Sequence, residues 1–404
     1  MKILIVSQHY YPEQFQINEI APELVRRGHD VTVLCGLPNY PQGKIYDGYK
    51  DKSHRNEVIE GVKVVRCREI ARGKNPITLM LNYLSFAFWG NRKVKELNDK
   101  YDVVLSYQLS PITMAMPAVK YKKMTGTPVL LYCLDLWPES AQAHVLTDKG
   151  LLYRYISRLS KRIYQKCDRI LVTSRPFIGY LNRKNDIHLD KMGYLPQHAS
   201  GEFLDMDLSK KENSCTDFMF AGNLGAGQTL DVIVKAAAEI GPSSEYKVHF
   251  VGDGSQRIAL EKLAAELNIS DNIVFHGKQT RADMHKFYSM ADVLLITLRG
   301  NNAVGTTMPG KLQMYMTTGK PILGAINGAT PEVIAEANCG KCVASGDYKG
   351  LAELMKHYMD NKEEYADCGE NAKKYFLQNF TLEKYMSGLE AELQQLVNKH
   401  NSKL

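Results

Sequence analysis

RGNNAVGTTMPGKLQMYMTTGKPILGA, residues 299–325, reads as loop, helix and strand in that order. A polar, glycine-bearing loop ends at Met308-Pro309-Gly310-Lys311, and a short helical run follows to Thr318. Gly319-Lys320-Pro321 stops that run, and Ile322–Ala325 is an apolar strand. The start of a helix offers backbone N–H groups without carbonyl partners and a partial positive charge. The Pro309-Gly310-Lys311 corner is therefore a natural seat for a phosphate group. An ordinary connection carrying a surface lysine looks the same in isolation, so the flanking sequence has to decide.

Upstream the same grammar repeats. TDFMFAG (216–222) is a strand, NLGAGQT (223–229) a glycine-rich turn and LDVIVKAAAEI (230–240) a helix. YKVHFVG, NIVFHGK and DVLLITL are further strands, separated by the helical runs DGSQRIALEKLAAELN and RADMHKFYSMA. Short apolar runs of this kind suit strands buried on both faces of a parallel sheet. The first half of the chain obeys the same rule. KILIVSQ (2–8) leads through the loop HYYPEQFQINE to a helix, a Gly28-His29 stop and the strand DVTVLCG. YDVVLSYQ, TPVLLYCLDLWPES and RILVTS supply more strands. Between the halves, DMDLSKKENSC (205–215) has the composition of a linker. The expected fold is α/β: two doubly wound, Rossmann-like domains facing one another across a cleft. The expected divisions are residues 1–200, 201–375, and a helix over 376–404 that returns toward the N-terminal domain.

Composition narrows the function. The chain has 404 residues, 44% hydrophobic and 24% charged, with a net charge of +7. That balance suits an anionic ligand or an acidic membrane, but no basic block is interleaved with aromatics as in nucleic-acid sites. The eight cysteines are scattered, and Met1-Lys2 leads straight into a strand without a leader. Reduced thiols in a cytoplasmic protein follow as the expectation. Cys339 and Cys342 form a C-x-x-C pair, but no second ligand pair or thioredoxin-like context accompanies them, which favours structural cysteines. No run reaches the roughly 20 apolar residues of a membrane span.

Two segments bear on surfaces. The apolar run from Ile77 to Trp89 is flanked by Arg72, Lys74, Arg92, Lys93 and Lys95. It suits a core helix, with an interfacial helix as the alternative. From Leu151 to Arg169, apolar Leu152, Tyr155, Ile156, Leu159 and Ile163 recur at helical spacing among Arg154, Arg158, Lys161, Arg162 and Lys166. Such a helix presents either a solvated basic face or one drawn to anionic lipid.

The motifs exclude the commoner chemistries of doubly wound domains. The first turn, SQHYYPEQF, lacks the G-x-G-x-x-G fingerprint, and GDGSQR and GNLGAG break or misspace it. No G-x-x-x-x-G-K-[ST] sequence occurs. Redox and ATP-driven readings drop. There is no D-x-D triplet suited to a metal; Asp205 and Asp207 lie in the linker. What remains is an enzyme that cradles a nucleotide in glycine turns, Gly222-Asn223-Leu224-Gly225 and Gly252-Asp253-Gly254, where backbone can approach a ligand closely. Lys311 supplies the charge for a diphosphate leaving group, so protein donors, without metal, carry its neutralisation. On the other half, His9, Gln14 and Asn18 lie in the loop after the first strand. Asp135 and Glu139 flank Trp137-Pro138 where another strand should end.

FAGNLGAGQTLDVIVKAA, VGDGSQRIALEKLAAELNISDNIVFHGK, MADVLLITL and PGKLQMYMTTGKPILGA resemble, in order and spacing, the family 4 retaining glycosyltransferases of GT-B fold. The similarity covers nearly the whole chain. HYYPEQFQINEIAPELVRRGHDVTVLCGLPNYPQGKIYDGY and DLWPES resemble the branch found in capsule and O-antigen clusters, including N-acetyl-fucosamine transferases. The resemblance implies transfer, with retention, of an N-acetylated hexosamine or deoxyhexosamine from a UDP-sugar to a polyprenyl-diphosphate-linked glycan. The donor's own phosphate would take the acceptor's proton, and no cofactor would be needed. It further implies donor contacts at Gly222, Asn223, Gln228, Gly252, Lys278, Arg299, Thr306, Pro309, Gly310 and Lys311. Catalytic work would fall to Lys311, Asp135 and Glu139, with first-loop contacts from His9, Gln14 and Asn18. The implied location is peripheral, on the inner face of the cell membrane, through Ile77–Trp89 and Leu151–Arg169.

The sequence departs from the family at defined positions. Thr306 and Met314 stand where the family has a glutamate pair, the second of which usually holds the ribose. Asn223 and Gln228 stand where it has an arginine and a lysine in the glycine loop, which shifts phosphate binding onto Lys311 and Arg299. These gaps keep two other readings open: a non-catalytic sugar-nucleotide-binding scaffold subunit, and a nucleotide-sugar epimerase of the same architecture.

Overall fold

The computed structural model describes residues 1–51, 53–73, 75–142, 150–210, 214–300, 305 and 307–402. It divides into two compact units, Met1–Leu195 with Met386–Leu404, and Pro196–Tyr385. Each is an α/β unit built on one sheet, as the alternating apolar runs require.

The first sheet contains β1 (Lys2–Val6), β2 (Asp30–Cys35), β3 (Asn56–Ile59), β4 (Val62–Arg66), β5 (Val103–Gln108), β6 (Val129–Cys133), β7 (Arg169–Val172) and β8 (Met192–Tyr194). Their order is β3-β4-β2-β1-β5-β6-β7-β8, parallel except for the β3–β4 hairpin. The second sheet contains β9 (Thr216–Ala221), β10 (Tyr246–Val251), β11 (Ile273–Gly277), β12 (Val293–Thr297), β13 (Ile322–Ala325) and β14 (Gly340–Val343). It is wholly parallel, in the order β11-β10-β9-β12-β13-β14. In each sheet the direction of winding reverses once, between β1 and β5 and between β9 and β12. Ligands of open α/β sheets bind outside the carboxyl ends of the strands at such a reversal.

Alternation within the strands builds the second unit's two cores. Phe218 and Phe220 of β9 pack with helices Asp231–Ile240 and Tyr348–Asp360 on one face. Met219 and Ala221 pack on the other, with Leu312, Tyr315 and Met316 and with Phe376 of the helix Cys368–Asn379.

The helix Pro76–Lys93 departs from the core-helix expectation. Ile77 (67% exposed), Met80, Leu81, Leu84 and Phe88 face outward, whereas Asn82, Ser85, Phe86, Ala87 and Gly90 are buried. The inner face sets polar Asn82 and Ser85 beside Phe86 and Ala87, and Asn82 has work to do there. Its amide donates to Glu69 Oε1 (2.6 Å) and to the Ile70 carbonyl (2.7 Å), and the Ser85 hydroxyl accepts from the Ile70 amide (2.9 Å). In the helix Leu151–Lys166, Leu151 (83% exposed), Leu152 and Tyr155 likewise face outward, while Ser160, Ile163 and Tyr164 are buried. Both helices pack against the turn Ile112–Ala115.

The last helix, Leu382–Asn401, begins in the second unit and carries the residues that complete the first. Glu390 accepts from Arg27 (2.8 Å) and pairs with His29 (2.9 Å), and Glu392 takes the Arg169 guanidinium by two bonds of 2.7 Å. No helix among the described residues is long and apolar enough to cross a membrane.

Candidate functional site

In the second unit, three turns zip together at the carboxyl ends of β9, β10 and β11. The Gly222 amide donates to Val251 (2.8 Å), Leu224 to Asp253 (2.9 Å), Gly252 to Gly277 (2.9 Å) and Gln256 to Leu224 (2.9 Å). Glycine is a steric requirement here. Gly252 sits at φ +138°, and a Cβ added to it would lie 1.9 Å from the Gly222 carbonyl oxygen. A Cβ at Gly254 would come within 2.6 Å of the Leu224 backbone. The turns surround a cavity of about 420 Å³ lined by Gly222, Asn223, Gly252, Asp253, Lys278 and Gln279. Four residues chosen as donor contacts, Gly222, Asn223, Gly252 and Lys278, thus share one cavity.

Lys311 enters from the helix Gly310–Met316. One turn on, the Tyr315 hydroxyl accepts from the Ala221 amide (2.8 Å) and donates to the Ala221 carbonyl (3.2 Å), which fixes the helix over the end of β9. That register puts Lys311 Nζ 3.4 Å from the Phe220 ring centroid and 3.0 Å from Gln228 Oε1. The ammonium would lie 3.1 Å from a Cβ built on Gly222, so the missing side chain at 222 makes room for it. Burial pushes the Lys311 pKa down to about 7. An ammonium held against an aromatic face, with no carboxylate partner among the described residues, is set to gain from an arriving anion.

The Gln228 side chain thus accepts from Lys311. Arg299 is exposed beside the same turn, its amide bound to the Gly227 carbonyl (2.9 Å) and its guanidinium near that of Ala226 (3.4 Å). Pro309 is the extended residue preceding the helix, and Gly310 is exposed. Met314 is half-buried against the core. Thr306 lies outside the described residues.

In the first unit the candidate residues do not form one cluster of like kind. His9, after β1, is buried, and its Nδ1 lies 2.7 Å from Glu13 Oε2. Asn18 donates to the Glu13 carbonyl (2.6 Å), and Gln14 is exposed. Asp135, after β6, accepts from the Ser110 hydroxyl (2.7 Å), which in turn accepts from the Trp137 indole (2.9 Å). Burial raises the Asp135 pKa. Glu139 is buried and takes a different partner, the Tyr153 hydroxyl (2.9 Å). Sequence reading missed Ser110, whose only local signal is a polar residue following β5. It also missed Glu69, a buried carboxyl whose pKa is pushed well up by desolvation and which accepts from Gln8 (2.5 Å) and Asn82.

Among the described residues no group of three or more His, Cys, Asp or Glu could hold a metal ion. All eight cysteines are free thiols. Burial pushes Cys339 and Cys342 up to about 12, as befits structural cysteines.

Comparison with known proteins bears on both units. Residues 207–375 match the family Glycosyl transferases group 1, and residues 14–196 match the Glycosyl transferase 4-like domain. N-acetyl-alpha-D-glucosaminyl L-malate synthase of Bacillus anthracis is 27% identical over 46% of this chain, and the match spans about half, 48%, of that relative. WcaI of Escherichia coli K12, a glycosyl transferase named for colanic acid biosynthesis, is 22% identical over 79% of this chain and 82% of its own. Among solved structures, Anabaena HepE in complex with UDP superposes with a TM-score of 0.70 at 13% identity, covering 98% of this chain and 100% of that one.

Proposed function

We propose that this chain, a family 4 glycosyltransferase of GT-B fold, moves an N-acetylated hexosamine or deoxyhexosamine from a UDP-sugar to a polyprenyl-diphosphate-linked glycan during capsule or O-antigen synthesis. The observation that carries the reading is the placement of the Lys311 ammonium beside Gly222, a residue that lines the glycine-turn cavity. UDP in a structural neighbour of the same fold supports the nucleotide, and the name of the WcaI relative supports the polysaccharide.

In this reading the turns take the nucleotide and Lys311 takes the diphosphate. Lys278 borders the nucleobase and Arg299 adds an exposed charge near the phosphates. The acceptor oxygen bonds to the anomeric carbon as the bond from that carbon to the phosphate oxygen breaks. The acceptor's proton passes to the departing diphosphate, on the same face, with retention. Neutralisation rests on Lys311 and backbone N–H groups, which act where charge develops. Asp135 and Glu139 serve substrate sugars, and His9, Gln14 and Asn18 the acceptor.

The test is a thermal-shift screen of UDP-, GDP- and dTDP-sugars, followed by nucleotide release with a bacterial lipid extract as acceptor. A UDP-sugar should stabilise the protein and be turned over only with the extract. Binding of none of the donors would end this reading, and binding without release would favour the scaffold alternative, which the absent glutamate pair motivates.

The working location in this proposal is the cytoplasmic face of the membrane. Ile77, Leu84, Phe88, Leu151 and Tyr155 are exposed apolar groups on two helices that share a packing partner. Arg158 and Arg162 are exposed beside them. Each basic residue at an anionic surface contributes about 1 kcal/mol. Vesicles containing phosphatidylglycerol should sediment the protein, and Arg158→Glu with Arg162→Glu should release it. No sedimentation of the parent protein would reduce both helices to solvated faces.

A further inference from the structure

The loop after β1 contains a side-chain arrangement that the donor chemistry does not use. His9 is 4% exposed, and its ring is held from several sides. It stacks on Phe15 at 4.9 Å and 19°, and Tyr40 lies tilted against it at 5.9 Å. Its carbonyl accepts from the Ser7 hydroxyl (2.7 Å). Glu13 carries the decisive contact. One carboxylate oxygen faces His9 Nδ1 at 2.7 Å, and the other accepts from the backbone amides of Asn39 and Tyr40, each at 2.6 Å. With one oxygen taken by two backbone donors, the carboxylate presents the other to Nδ1 as an acceptor. Nδ1 therefore carries hydrogen, and in the neutral ring Nε2 carries the lone pair. Among the described residues Nε2 has no hydrogen-bond partner, and it is absent from the fully buried polar atoms that lack one. A tautomer is fixed, and its acceptor nitrogen is left accessible.

The surroundings indicate what that nitrogen receives. Tyr40 is 37% exposed, and the Arg72 guanidinium lies over its ring at 5.3 Å. Arg72 is held in turn by its amide on Asn39 Oδ1 (2.9 Å). A partly exposed aromatic ring, an acceptor nitrogen held in one orientation and an adjoining guanidinium match a sugar ring, with its apolar C–H face, its donor hydroxyls and its acceptor oxygens. We propose that His9, Tyr40 and Arg72 form a subsite for a sugar of the acceptor, in which His9 Nε2 accepts a hydrogen bond from a sugar hydroxyl. Glu13 is the positioning residue that fixes the histidine for this purpose. The inference rests on the reading that the first unit binds the acceptor, and it deepens that reading. It moves no proton, since the histidine orients the hydroxyl and the departing diphosphate takes the proton.

The test uses the whole chain labelled with ¹⁵N-histidine and, as probes, the methyl glycosides of N-acetylglucosamine, glucose, galactose and mannose. The neutral His9 ring should show its hydrogen on Nδ1. At least one glycoside should shift the Nε2 resonance in the parent protein and fail to do so in Tyr40→Ala, whose backbone amide still serves Glu13. UDP alone should leave the resonance in place. Glu13→Gln should transfer the hydrogen to Nε2 and abolish the glycoside response without unfolding the chain. A hydrogen on Nε2 in the parent protein, or no response to any of the four glycosides, overturns the proposal, and neither result depends on the donor. Where the donor screen identifies a substrate, Glu13→Gln should lower transfer to the lipid extract by about tenfold or more while slow donor hydrolysis persists. Equal losses in transfer and hydrolysis would assign Glu13 a merely structural role and overturn the positioning assignment.

Discussion

The two units present opposite kinds of surface at their strand ends. At the carboxyl ends of β9 and β10 the surface is mainly backbone, stripped of side chains by Gly222, Gly252 and Gly254, with the Lys311 ammonium brought in by the helix Gly310–Met316. At the carboxyl ends of β1 and β6 it is side chain throughout, with His9 held by Glu13 and Asp135 by Ser110. Backbone amides and one cation suit a group common to many donors, the diphosphate. Carboxylates and a fixed histidine suit groups that differ between sugars. The contrast predicts that damage to the second unit abolishes binding, whereas damage to the first changes what is bound.

The largest effect should come from Gly252→Ala. The added carbon has 1.9 Å to a backbone oxygen, which cannot retreat without opening the three turns. Loss of UDP binding in calorimetry, with a stability loss of about 3 kcal/mol or more, is expected. Retained UDP affinity would break the claim that backbone forms this surface. Next, Lys311→Met should weaken UDP by about 30-fold or more, as for truncation of one member of a buried charge pair. The same lysine makes affinity pH-dependent. With its pKa at about 7 in the free protein, the anion binds the protonated form and raises that pKa. Binding near pH 8 should therefore take up a proton, and affinity should fall as pH rises above about 7. Titration in buffers of different ionisation enthalpy checks the sign. Asp135→Asn should leave UDP affinity in place and cost about tenfold in transfer, an effect on the sugar side alone. Arg299→Ala, an exposed change, should cost about threefold or less in donor affinity. A larger loss there than at Lys311 would move the phosphate site outward.

Much of this contrast was legible before the structure. Apolar runs bounded by glycine gave both sheets, because strands buried on two faces have no polar alternation to hide. The second unit's candidate site could be outlined because it is built on glycine turns, which are local in sequence. The first unit's site was only partly legible, because its meaning lies in partners. Glu13 acquires its role from the amides of Asn39 and Tyr40, and Asp135 from Ser110, pairings that no local spacing announces. Asp135 and Glu139, four residues apart, divide between Ser110 and Tyr153. The helix Pro76–Lys93 shows the limit most plainly. Its composition suggests a core helix, yet the one buried asparagine, drawn inward by Glu69, turns the apolar side chains out. A few polar contacts outweighed an apolar majority.

The clip made by Glu390 and Glu392 has a consequence for how the molecule is made. Arg27, His29 and Arg169 are translated long before the two glutamates that engage them. The whole of the second unit is synthesised in between. On the ribosome the second unit can close as soon as its own residues emerge, while Arg27, His29 and Arg169 of the first await Glu390 and Glu392 until the helix that carries them emerges. The order of completion is thus the reverse of the order of synthesis.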